Sequence, residues 1–182
     1  MGQKDVKRQA KRALRARNLT ARRLQYGALC YRVKKSGPQV LLITSRRTRR
    51  WISPKGWPIR GLGPAATAAQ EAYEEAGVRG QVSKTPIGFY SYTKILSRKR
   101  KMTCLVQVFP LRVTDLAKSF PEMDERKIKW LPPAKAAKRV REAELAKLIR
   151  SLGKELDRQG ISDPAPDGRN GSAAKDRQKT SA

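Results

Sequence analysis

No histidine occurs among the 182 residues of this chain. That absence removes imidazole zinc sites, histidine general bases and Ser-His-Asp chemistry together. Cysteine occurs twice, as Cys30 and Cys104, each inside an apolar run. The N-terminus has no apolar core of the secretory kind, so two reduced core thiols are expected rather than a disulfide. No stretch approaches the ~18 consecutive apolar residues of a membrane-spanning helix. The expectation is a cytoplasmic protein, with no membrane partner, built as one domain with tails.

Negative charge is scarce as well. Against 42 Lys and Arg stand 15 Asp and Glu, a net charge of +27. A field of that sign attracts polyanions: nucleic acid, polyphosphate or a highly phosphorylated small molecule. The placement of the few acids says more than their number. None lies between Val6 and Gln70, and none between Ala76 and Thr114. Across residues 6–114 the only carboxylates are Glu71, Glu74 and Glu75.

Those three fall on one expected helix. Pro64 after Gly63 suits a helix start. Ala65, Ala68, Ala69, Ala72 and Ala76 follow at helical spacing, and Gly77 suits the left-handed residue that ends a helix. Glu71, Glu74 and Glu75 are related by i, i+3 and i, i+4, so their side chains project together. Like charges at that spacing cost about 0.2–0.5 kcal/mol per pair. Carboxylates in a last turn also face the negative end of the helix dipole, at about 0.3–1 kcal/mol each when exposed. A local rule broken without visible compensation marks a candidate functional site. A bound Mg²⁺ or Mn²⁺ reverses both penalties, because hard cations take clustered oxygens. The alternative is a solvated acidic patch pairing with Arg79 or Lys84.

The segment from Gly56 to Val78 reads Gly-Trp-Pro-Ile-Arg-Gly-Leu-Gly-Pro-Ala-Ala-Thr-Ala-Ala-Gln-Glu-Ala-Tyr-Glu-Glu-Ala-Gly-Val. It resembles the Nudix box: G, five residues, E, seven residues, then R-E-U-x-E-E-x-G-U, where U is hydrophobic. The spacing matches without a gap, through Gly56, Glu71, Ala72, Glu74, Glu75, Gly77 and Val78. Leu62 stands where the pattern carries Glu, and Gln70 where it carries Arg. Trp51-Ile-Ser-Pro-Lys-Gly56 is similar to the strand and loop that enter the box in members acting on dinucleoside polyphosphates and diphosphoinositol polyphosphates. The resemblance covers about residues 24–150 and implies an α/β/α sandwich with a mixed sheet. It implies a Mg²⁺ or Mn²⁺ cofactor and cleavage of a phosphoanhydride bond. Glu74 and Glu75 would be metal ligands, and Glu71 a ligand or the group that activates water. The carbonyl of Lys55 would complete the metal shell, and its side chain would help position the polyphosphate. Such enzymes often take an extra carboxylate from outside the box. Glu122, Asp124 and Glu125 are candidates, Glu125 slightly ahead; the alternative is an acidic loop that balances nearby Arg126 and Lys127. Two further readings stand: removal of pyrophosphate from RNA 5′ ends, and a degenerate box on an RNA-binding module.

Around the box, Gln25–Val33 and Pro38–Thr44 read as strands joined by a turn at 34–37. Phe89–Leu96 and Met102–Val113 read as a second pair, with a basic turn at 97–101. Ile128–Leu131 reads as a short strand, Pro132-Pro133 opens a helix, and Val140, Leu145, Leu148, Ile149 and Leu152 fit an amphipathic C-terminal helix or helix pair that covers the sheet. Arg46, Arg47, Arg49 and Arg50 are read as a phosphate-holding cluster at the mouth of the site, with plain surface as the alternative. Residues 1–23 form a basic arm, for RNA or for solubility. Residues 24–157 form the domain. Residues 158–182 are expected to be a disordered polar tail.

Overall fold

The computed structural model describes residues 23–97 and 100–160. Among these described residues, eight strands and three helices run in the order β1 (Leu24–Lys34), β2 (Gly37–Thr44), β3 (Trp51–Ile52), β4 (Lys55–Gly56), α1 (Pro64–Ala76), β5 (Val78–Val82), β6 (Gly88–Ile95), β7 (Lys101–Leu116), β8 (Ile128–Leu131), α2 (Pro133–Arg139) and α3 (Ala143–Arg158). The basic arm lies outside the described residues apart from Arg23, as do residues 161–182 of the polar tail and Arg98 and Lys99 of the basic turn.

The strands form one sheet whose main path is β3-β2-β1-β7-β5. β4 joins it on β1, β6 on β7, and β8 on β2. β1 runs parallel to β7 from Leu24–Leu105 to Tyr31–Arg112, while the other pairings are antiparallel. The sheet is therefore mixed, as expected.

Central strands buried on both faces must be apolar on both faces. The runs Ala28-Leu-Cys30 and Val40-Leu-Leu-Ile43 meet that demand, all fully buried. Successive residues then alternate between two cores. Leu29, Val40, Leu42, Val106 and Val108 pack under Leu145, Ile149 and Leu152 of α3. Ala28, Cys30, Leu41, Ile43, Phe109 and Leu111 pack under Ala68, Ala72 and Ala76 of α1. Alanines on α1 let that helix sit close to the sheet, which carries its acidic end toward the sheet rim. Both cysteines are buried and free.

β3 is the strand expected at the entry to the box, whereas β4 and β5 were not anticipated as strands. β3 and β4 hold two residues each. β5 reads Val-Arg-Gly-Gln-Val and carries a register shift at Arg79/Gly80. Gly80 is needed there, because a Cβ would drive into the carbonyl of Arg112 on β7.

Candidate active site

Helix α1 ends at Gly77, whose φ of 65° is the left-handed turn that glycine takes without strain. The Gly77 N–H donates to the Tyr73 carbonyl at 2.8 Å, and the Ala117 N–H to the Gly77 carbonyl at 2.8 Å. The Glu122 N–H donates to the carbonyl of Glu74 at 3.0 Å. The loop after β7 thus folds beneath the acidic end of α1 and satisfies its last carbonyls. One acidic segment is laid against another.

Glu71 lies against Gly56 on β4. A Cβ at position 56 would overlap the Glu71 carboxylate, so only glycine leaves that notch open. Burial, followed by the charges of Glu75, Glu74 and Glu122, pushes the Glu71 carboxyl up to about 7. Glu75 is buried and held at both oxygens: Oε2 accepts the Lys55 backbone N–H at 2.9 Å, and Oε1 accepts Arg126 Nη2. Its pKa is raised by burial, against the pull of Lys55 and Arg126. Glu74 Oε1 accepts the neutral amide of Gln70 at 2.7 Å. No three Asp, Glu or Cys side chains among the described residues converge closely enough to hold an ion in this conformation. The donor set nevertheless fits a hard divalent cation. It offers carboxylate oxygens only, and Glu71 sits in an open notch among like charges that local partners do not neutralise.

Lys55 pairs with Gly27 of β1, where an added Cβ would crowd Val106, the Pro54 carbonyl and the Lys55 Cβ. Its ammonium rests 5.0 Å from the centre of the Tyr92 ring. Burial lowers its pKa, partly countered by Glu75. Tyr92 is fixed by a 2.7 Å hydrogen bond to Gln25. Two residues beyond Tyr92 on β6, Lys94 rests 5.0 Å from the ring centre of Trp57, the residue after β4. Neither ammonium makes an ion pair within the described residues.

The four arginines of the cluster each meet a protein group. Arg46 pairs with Glu125 at 3.1 Å and Glu122 at 3.5 Å. Arg47 donates to the carbonyls of Ile95 and Leu96, and Arg49 to the carbonyl of Glu125. Arg50 forms a 2.6 Å pair with Glu142, whose side chain is 8% exposed. All four guanidiniums are engaged by the protein, tying the loop after β2 to three distant segments. Glu125 faces Arg46 at the surface, and Asp124 is exposed. Glu122 is the acidic-loop carboxylate that bears on the cluster.

Arg126 escaped the reading of the sequence, where it looked like a neutralising neighbour of the acidic loop. Its only local signal is its i, i+4 spacing from Glu122.

A mixed sheet lies between helices, with three glutamates clustered near the C-terminal end of α1. Residues 22–152 match the NUDIX domain family, and the chain belongs to it. It is 33% identical over 130 residues to "Nudix hydrolase 21, chloroplastic" of Arabidopsis thaliana, covering 69% of this chain and 63% of that protein. It is 32% identical over 104 residues to "Diphosphoinositol polyphosphate phosphohydrolase 3-alpha" of Mus musculus, covering 56% and 59%. The chain spans 48% and 59% of the length of two such curated relatives, about half of each. The fold is shared with the C. elegans Ap4A hydrolase, at TM-score 0.53 and 21% identity over 73% of this chain and 97% of that one. It is also shared with the E. coli dihydroneopterin triphosphate pyrophosphohydrolase, at TM-score 0.55 and 15% identity over 72% and 95%. No helix among the described residues is long and apolar enough to cross a membrane.

Proposed function

We propose that the chain is a divalent-cation-dependent hydrolase of a phosphoanhydride bond in a highly anionic small molecule. A dinucleoside polyphosphate or a diphosphoinositol polyphosphate is the class favoured. One observation carries the reading: Glu71, seated in the notch left by Gly56 and surrounded by Glu74, Glu75 and Glu122. Nudix hydrolases generally use divalent metal cations. Here Glu71, Glu74 and Glu75 would hold the ion, with the Lys55 carbonyl beside them. When bound, the cation neutralises phosphate charge and acidifies the attacking water.

The chain's own groups divide the remaining work. Glu71 is the acceptor for the proton of water, with Glu122 the nearest reserve carboxylate and Glu125 further out at the surface. Lys55, an ammonium with no ion pair among the described residues, receives a phosphate of the substrate. Lys94 extends that positive edge along β6. Arg46, Arg47, Arg49 and Arg50 then shape the rim rather than grip phosphate directly.

The test is release of phosphate and pyrophosphate from a panel, in Mg²⁺, Mn²⁺ or chelator. The panel holds dinucleoside polyphosphates, nucleoside triphosphates, an inositol pyrophosphate and 5′-triphosphorylated RNA. Metal-dependent release from one of the polyphosphates is expected. Release from RNA alone would replace the substrate class. No release from any, with tight RNA binding by folded protein, would replace the enzyme by a binding module.

A further inference from the structure

The end of α1 gathers negative charge with no cation of its own. Glu71, Glu74 and Glu75 occupy it, no basic residue lies in its last turn, and Gln70 offers only a neutral amide. Glu122 is then brought against the same end by its backbone bond to Glu74. Four carboxylates so placed repel one another and the helix dipole alike.

Besides Arg46, which meets Glu122 at 3.5 Å from the loop after β2, a buried guanidinium answers two of them at once. Arg126 lies 51 residues from Glu75 in sequence, and its side chain is 5% exposed. Its Nε donates to Glu122 Oε2 at 2.6 Å, its Nη1 to the Thr44 carbonyl at 3.0 Å, and its Nη2 to Glu75 Oε1. The fork is locked from behind, since the Lys127 N–H donates to Thr44 Oγ1 and the Thr44 N–H to the Lys127 carbonyl, both at 3.0 Å. Three donors in one plane thus fix helix, strand and loop at once. Only a planar guanidinium offers donors in that fork.

We propose that Arg126 is the positioning residue of this site: it aims Glu75 and Glu122 and supplies the positive charge that α1 lacks. The inference rests on the metal-site reading above. Each oxygen of Glu75 accepts one hydrogen bond and keeps a second lone-pair direction. Arg126 and the Lys55 N–H therefore orient the carboxylate without filling it. Losing such an outer partner typically costs about 10–100-fold in metal affinity.

The probe is Mn²⁺ alone, with binding read from the electron paramagnetic resonance signal of the free ion, on full-length protein well below its melting temperature. Arg126→Gln is expected to weaken Mn²⁺ binding by about 10–100-fold and to lower the metal-free Tm. Arg126→Lys keeps the charge but not the fork, and is expected to weaken Mn²⁺ binding by about 10-fold. That variant carries the test if the glutamine variant does not fold. A purely structural arginine would lower Tm and leave the affinity of the folded molecules unchanged. Mn²⁺ binding in either folded variant as tight as wild type, or tighter, overturns the proposal, the tighter case making Arg126 a competitor of the ion. If wild-type protein itself fails to bind Mn²⁺, the metal-site reading falls and this role with it. Wild-type binding with unchanged variants removes only the role of Arg126.

Discussion

Two charged clusters lie within thirty residues of each other, and the fold treats them in opposite ways. In the loop after β2, every arginine is taken by a protein partner: Arg46 by Glu122 and Glu125, Arg47 and Arg49 by carbonyls, Arg50 by Glu142. At the end of α1, Glu71 is left among like charges in a notch kept open by Gly56. Cations are abundant in this chain, so using them as struts is cheap. Carboxylates are scarce, and three are concentrated where local electrostatics opposes them. The cluster that the fold does not need is the better candidate for chemistry.

That contrast is open to attack. Arg50→Ala should cause the largest loss of stability. It strands Glu142, whose second oxygen already lacks a protein partner. Breaking a buried pair costs about 3–5 kcal/mol, so about 2–4 kcal/mol is expected for this partly exposed arginine, read by denaturant unfolding. Turnover per folded molecule should hardly change, whereas a strongly raised KM would make Arg50 a phosphate ligand after all. Gly56→Ala should do the reverse. Its added methyl displaces Glu71, and turnover should fall about 10–100-fold, the scale of losing a group that orients a ligand, with a smaller change in Tm. Wild-type turnover in that variant would show that the notch is only a packing detail.

A pH titration sharpens the same point. The folded pKa of Glu71 lies near 7, above its ordinary 4.5. Folded protein therefore holds this proton more tightly than unfolded protein does. The group is neutral to stability at pH below about 4.5 and increasingly destabilising as pH rises through about 7. In chelator, Glu71→Gln should gain Tm relative to wild type across that window. A constant difference would mean that Glu71 is not perturbed. The smallest effect is expected from Arg46→Ala. Its pairs are exposed, with the arginine side chain 57% accessible, so a loss under about 1 kcal/mol is predicted.

Most of the framework was legible in the sequence. Pro64 and Gly77 bracket α1 because one is pre-set for a first turn and the other for a left-handed exit. The two hairpins and β8 show as apolar runs between polar turns. β3 was legible only through the box entry; the two residues of β4 have no period to read, and β5 breaks its alternation at a bulge, so these two stayed invisible. The acidic triad was legible through its spacing. Its partners were not. Arg126 reaches Glu75 across 51 residues, and Arg50 reaches Glu142 across 92. No local pattern encodes which cation meets which anion at that range. The arginine cluster, read as a phosphate grip, is engaged for the same reason: its partners are remote in sequence and near in space.

The most direct test compares wild type with Glu74→Gln, which removes one carboxylate charge while keeping the shape of the side chain. Circular dichroism confirms folding, and phosphate release from the preferred polyphosphate is followed with Mg²⁺ and with chelator. Metal-dependent turnover in wild type is predicted, with a loss in the folded variant beyond the ~100-fold upper range for an outer partner. Near-normal turnover in folded Glu74→Gln would contradict the assignment of catalysis to the end of α1.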